Sequence, residues 1–182
     1  MAPNPKLRDL SRLPPEYDDI IALSDALFRD QQPITTAILG AVMVELHLER
    51  LLRSKLKHKD DRAWAMLVAD NGPLGSFYSQ ISMGYALGIY DKDMCSDLNI
   101  VRNIRNAFAH SKKSIQFDHP AVVAELGKAT RSAKTMWKSI GPDAMRYKSL
   151  CFYLSTKLVR MYKSTGYDPT PDYVKALLSG ML

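Results

Sequence analysis

Residues Arg102 to Ser111, RNIRNAFAHS, place two arginines, two asparagines and a histidine among Ile, Ala and Phe. On a helix, Arg102, Asn106 and His110 stand four residues apart and form a ladder on one face. Arg105 lies about 100° from that ladder, at the edge of the apolar stripe. The chemistry open to such a set is that of phosphate esters. An imidazole with a pKa of about 6.5 moves protons at neutral pH. A guanidinium clamps phosphate with a fork that lysine lacks. Together they suit attack of a ribose 2′-hydroxyl on its own phosphodiester. His110 would act as base or acid, and Arg105 would stabilise the charged phosphorus centre. That reaction needs no metal and no cofactor.

A structural role is open to the same residues. A guanidinium beside an apolar stripe needs an acid, because a buried unpaired charge is costly. Glu45 interrupts a stripe of apolar residues on another segment, and Glu49 follows four residues later. Pairing Arg105 with either glutamate would explain two oddities at once and fix helix register. Asn106 and His110 would then cap the helix end.

The elements that must position these residues all read as helices separated by Pro and Gly, with no long alternating strand and no internal repeat. A first helix is predicted after PPEY, running to about Arg29, with Pro at its entry. The longest starts near Pro33, with a stripe of Ile34, Ile38, Ala41, Leu48 and Leu52. A short helix covers about Asp61 to Ala69, and Ser76 caps the next, which stops at Gly88. Asp91 caps the helix that carries the polar set, whose stripe is Met94, Leu98, Val101, Arg105 and Phe108. SKKSIQF after His110 reads as a polar connection with room for a short extended piece.

Asp118 is the expected cap of one further amphipathic helix. Its apolar side carries Val122, Leu126, Ala129, Ala133, Met136 and Ile140, and its basic side Lys128, Arg131, Lys134 and Lys138. After the Gly141 break comes a last long helix with Tyr147, Cys151, Leu154, Leu158 and Met161, then a short tail helix from Asp172. The fold expected is an all-α, mostly antiparallel bundle of four to five long helices plus short ones. Residues 1–14 read as a flexible tail, 15–165 as the bundle and 166–182 as an extension.

The chain has 182 residues and a formal net charge of +6. A fold of this length buries about 70% of its unfolded surface, so it needs no disulfide or metal to hold it. Cys95 and Cys151 have no partner at ligand spacing, which fits a reducing compartment. His110, Asp118 and His119 have no recognisable zinc spacing, and GPLGSF lacks the lysine of a phosphate-binding loop. No apolar run approaches the ~20 residues needed to span a bilayer, so a cytoplasmic location is expected, with no membrane partner. Between Lys128 and Lys163 nine Lys or Arg face one acid, Asp143. That excess, with Arg102, Lys112 and Lys113, makes nucleic acid a conceivable partner. No aromatic residues interleave with the charges, as they would in a single-strand binder.

Two resemblances add to this reading. Arg105-Asn106, three residues and His110 resemble the signature of the HEPN superfamily of small helical bundles. The longer stretch from Gly72 to Ser111, with FDHP at Phe117–Pro120 and VELHLERLL at Val44–Leu52, resembles the mannitol operon repressor family. The first resemblance implies a metal-independent ribonuclease in which a dimer brings two His110 side chains to one groove, with Glu45 or Glu49 as the acidic partner. The second implies an all-α bacterial regulator, a homodimer contacting a protein or a nucleic acid without a helix-turn-helix. The second covers more of the chain and is the reading preferred here. Incubation with RNA separates them: a ribonuclease cuts as wild type and not as His110→Ala, whereas equal, metal-dependent cleavage by both excludes that activity.

Overall fold

The computed structural model describes residues 17–29, 32–56, 61–69, 71–135 and 141–166. Among these every regular element is a helix, with no strand. The elements are α1 (Tyr17–Arg29), α2 (Pro33–Lys55), α3 (Asp61–Val68), α4 (Phe77–Ala86), α5 (Lys92–His110), α6 (Pro120–Leu126), α7 (Arg131–Thr135) and α8 (Asp143–Lys163). The all-α bundle expected from periodicity is what forms. Five of these helices have ten residues or more, and α2, α5 and α8 dominate with 23, 19 and 21.

Local chemistry starts these helices where the sequence implies. Pro33 opens α2, where its missing N–H costs nothing. The Ser76 hydroxyl accepts from the Ser79 N–H at 3.1 Å, while the Ser76 N–H reaches the Ser79 hydroxyl at 3.2 Å. Gly88 turns the chain with φ +64°, a conformation other residues avoid. Asp91 then accepts from the Met94 N–H at 2.9 Å and starts α5.

The chain's second half departs from the pattern. His119, not Asp118, caps α6, its Nδ1 accepting from the Ala121 N–H at 3.3 Å. The expected continuous helix breaks after Leu126 and restarts as α7 at Arg131. The cause is tertiary: Asp97 on α5 accepts from the Thr130 N–H at 2.9 Å and from its hydroxyl at 2.7 Å, pinning the backbone between the two pieces. Val122, Leu126, Ala129 and Ala133 are nonetheless all buried, so the apolar periodicity survives the break. Met136, Lys138, Ile140 and the tail helix from Asp172 lie outside the described residues. The segment 111–119 forms no strand; Phe117 folds it inward, its ring 4.7 Å from Phe108 and 5.2 Å from Tyr147.

At the centre, α2 packs along α8. The Tyr147 hydroxyl donates to the Ala37 carbonyl at 2.7 Å, and His47 stacks on Tyr162 at 6.2 Å, so these two helices run parallel. By contrast α4 and α5 are antiparallel, as their short connection demands. α2 buries twelve residues on several sides, including Ala37, Val44, Leu48 and Leu51 at 0% exposure. A single-stripe reading could not give its orientation: Ile34 is 50% exposed and Ile38 only half-buried. Gly40 is what lets α8 come so close, since a Cβ there would lie 2.8 Å from both Cys151 Sγ and the Tyr147 ring. Gly40→Val is expected to lower Tm by roughly 5 °C or more through overpacking. Gly141→Ala, where a Cβ meets nothing within 4 Å, should leave Tm within about 2 °C by the same calorimetric measurement.

Candidate functional site

The polar set of α5 sits where α2, α4 and α5 meet. Glu45 and Glu49 share one face of α2, both half-buried, with Arg105 and Asn106 half-buried on α5. Gln80 of α4, 2% exposed, closes the cluster. Its amide donates to Glu49 Oε1 at 3.2 Å and to the Leu74 carbonyl at 3.1 Å, while its own oxygen accepts no hydrogen bond.

The expected pairing of Arg105 with an acid takes a looser form. No ion pair within 4.0 Å joins Arg105 to Glu45 or Glu49 among the described residues; its guanidinium donates instead to Asn106 Oδ1 at 3.0 Å. The charges still act on each other. Burial, with the neighbouring Glu49 charge, pushes the Glu45 carboxyl up to about 7, and Arg105 opposes that rise. Burial also raises Glu49, against the Gln80 hydrogen bond and the Arg50 charge. The arrangement is two desolvated carboxylates, Glu45 near Arg105 and Glu49 bonded to Gln80 and near Arg50. It can hold or release a proton near neutral pH.

Arg102, Asn106 and His110 do share the ladder face, but they do different things. Arg102 donates to Asn103 Oδ1 at 2.8 Å and lies over the Tyr78 ring at 4.8 Å. His110 is exposed at the last residue of α5. No hydrogen bond links it to Arg105. Asn103, unremarkable in the sequence, ties α5 to α6 by donating to Glu125 Oε1 at 2.7 Å. A surface groove of about 590 Å³ lies beside it, floored by Ile104, Ala107, Ile115 and Val122. It includes none of Arg105, Asn106 and His110.

The nucleic-acid candidates are dispersed. Lys112, Lys113, Arg131 and Lys134 are exposed, and Lys128 is exposed but pairs with Glu125. Arg146 pairs with Asp143 at 2.8 Å, and Lys148 is 5% exposed, so the eight described cations of the nine do not form the uniform basic face implied by their count; Lys138 lies outside the described residues. Among the described residues no group of three or more His, Cys, Asp or Glu is placed to hold a metal. Nor is any helix among them long and apolar enough to cross a membrane. Two contributors escaped the sequence reading: Gln80, hidden in an uncharged helix, and Asp97, whose partner is 33 residues away. A polar residue within the apolar face of α4 was the one available signal for Gln80.

No family model matches the sequence, and no curated protein matches it. Solved structures do share its fold. A chain in the X-ray structure of the MtlR–HPr complex from Escherichia coli aligns with a TM-score of 0.53 and 14% identity, over 81% of this chain and 98% of that one. YggD from Shigella flexneri 2a, described as a possible transcriptional regulator, aligns with a TM-score of 0.59 and 15% identity, over 78% and 97%. The helical bundle is therefore the one found in these two structures.

Two buried titratable groups set opposing pH dependences. The raised Glu45 pKa means that the folded state binds a proton more tightly than the unfolded one. Its contribution is therefore lost as pH rises from about 4.5 through about 7. Burial, then the Arg50 charge, lowers His47 to about 4, so its contribution is lost as pH falls from about 6.5 through about 4. In wild type the two slopes offset each other. Thermal melts of Glu45→Gln should show higher Tm than wild type at pH 8 and a steeper loss on acidification from pH 6.5 to 4, where the His47 slope is no longer offset by Glu45. Equal pH profiles would contradict the assignment.

Proposed function

We propose that this chain is a cytoplasmic regulator of the mannitol-operon-repressor type that works by binding another protein rather than by catalysis. The observation that carries this reading is the fold itself, which aligns over nearly the full length of a chain seen in complex with HPr. The site chemistry agrees with a binding role. Arg105 donates to Asn106, and His110 stands apart from them at the exposed end of α5. Lys112 and Lys113 extend that end as exposed cations. Such a rim suits recognition of a protein surface with acidic groups, where Lys and Arg steer the encounter. Among the described residues no pair of short helices has the look of a groove-reading module; in this reading DNA is reached through the partner.

Calorimetric titration with purified HPr should give a Kd of about 10 µM or tighter. Lys112→Glu combined with Lys113→Glu should weaken it at least about tenfold, and more at low salt than at high. Absence of binding at millimolar concentration, or indifference to both substitutions, overturns the reading. Mobility shifts with duplex DNA and with RNA provide the opposite arm. Direct, steeply salt-dependent binding that is lost on charge reversal at Lys128, Arg131 and Lys134 would make nucleic acid the target instead.

A further inference from the structure

The groove of about 590 Å³ between α5, the segment after it and α6 has two unlike ends. Its volume falls in the range of small-ligand sites, about 300–1,000 Å³. From Asn103 to Ser111 it follows α5 for about 12 Å. The floor is aliphatic, with Ile104, Ala107, Ile115 and Val122 along it and no Phe, Tyr or Trp. At the Asn103 end the polar side chains are already engaged. Asn103 Oδ1 accepts from Arg102 at 2.8 Å, and its amide donates to Glu125 Oε1 at 2.7 Å. Glu125 in turn is neutralised by Lys128.

At the other end polar groups remain free. Phe117 stacks on Phe108, so the chain returns at the C-terminal end of α5 and brings His119 towards Ser111. The Ser111 hydroxyl is occupied by the Lys113 backbone. The Lys113 ammonium and the Ser114 hydroxyl have no hydrogen bond or ion pair among the described residues. His119 uses Nδ1 to accept from the Ala121 N–H, which leaves its ring proton on Nε2. All three of these side chains line the groove, and each can donate.

We infer that this groove binds a small aliphatic carboxylate, with the carboxylate at Lys113, Ser114 and His119 and the chain along the floor towards Asn103. Charge selects the head group. Among the ionisable side chains that line the groove, Lys113 carries the one unpaired charge, and an anion there gains charge-assisted hydrogen bonds. A cation meets a like charge instead. The floor selects the body. A compact anion such as phosphate leaves Ile104 and Val122 uncovered, whereas an alkyl chain removes that surface from water. An aromatic acid finds no ring to stack on. The engaged Asn103–Glu125 end offers no free donor to a second anionic group. The site stands whether or not a protein partner also uses Lys113.

Calorimetric titration of the full chain with decanoate, below its micellar concentration, should give a Kd of about 100 µM or tighter. Decylamine, with the same chain and the opposite charge, should bind at least about tenfold more weakly. Ala107→Trp fills the floor from an exposed helix position and leaves both lysines in place. It should raise the decanoate Kd about tenfold or more, with an unchanged far-UV circular dichroism spectrum. Lys113→Gln should raise it by about tenfold through loss of the charged donor. Lys112→Gln, outside the groove, should leave it within about twofold. No decanoate binding at millimolar concentration overturns the proposal. So does equal affinity for decylamine, or a Kd moved by neither Ala107→Trp nor Lys113→Gln.

Discussion

The close approach of α2 and α8 is the constraint on which the rest of the molecule depends. Glycine at position 40 brings the Tyr147 ring and Cys151 against the α2 backbone, and the Tyr147 hydroxyl satisfies the Ala37 carbonyl within the core. Because that contact is dry and tightly packed, Tyr147, Cys151, Leu154 and Leu158 are all fully buried. Phe117 and Phe108 stack outward from Tyr147 and fasten the C-terminal end of α5 and the segment that follows it. The polar set on α5 owes its position to this spine rather than to its own ion pairs.

A bundle organised in this way tolerates charge at its margins but is strained by it. Glu45 and Glu49 occupy a face of α2 that packs towards α4 and α5; Arg105, which acts on Glu45, is itself turned to Asn106, and Arg50 acts on Glu49. Water would solvate these carboxylates better than their neighbours do, and the upward displacement of both acids follows from that deficit. Nearby, Asp97 is almost wholly buried yet doubly hydrogen-bonded to Thr130, so the desolvation cost is largely offset there. The contrast separates the two kinds of buried acid in this protein: Asp97 holds the backbone in place, whereas the α2 pair remains short of donors.

Much of the fold was legible because it rests on local rules. Pro33, the Ser76–Ser79 capping box, Gly88 and Asp91 act within one turn of the chain, and the helices they bound lie where those residues imply. The break between α6 and α7 was not legible, since Val122, Leu126, Ala129 and Ala133 keep a helical rhythm across it and the residue that interrupts the backbone belongs to α5. The cap of α6 moved by one position, to His119. The candidate site was legible in part. Spacing placed Arg102, Asn106 and His110 on one face and brought Arg105 towards the α2 acids. It could not show that Arg105 turns to Asn106, nor that Gln80 completes the cluster, because side-chain partners depend on distances between helices.

By itself, the sequence determined the helical class, most element boundaries set by caps and glycines, and the shared face of Arg102, Asn106 and His110, all of which follow from interactions between residues a few positions apart. Tertiary structure alone decided that α2 is enclosed on several sides and runs parallel to α8. It also decided that the described cations between Lys128 and Lys163 scatter instead of forming one face, and that an uncharged helix stands exposed. Those outcomes depend on how rigid helices pack around one another. Periodicity marks which faces of a helix are apolar but carries no information about which neighbour will cover them.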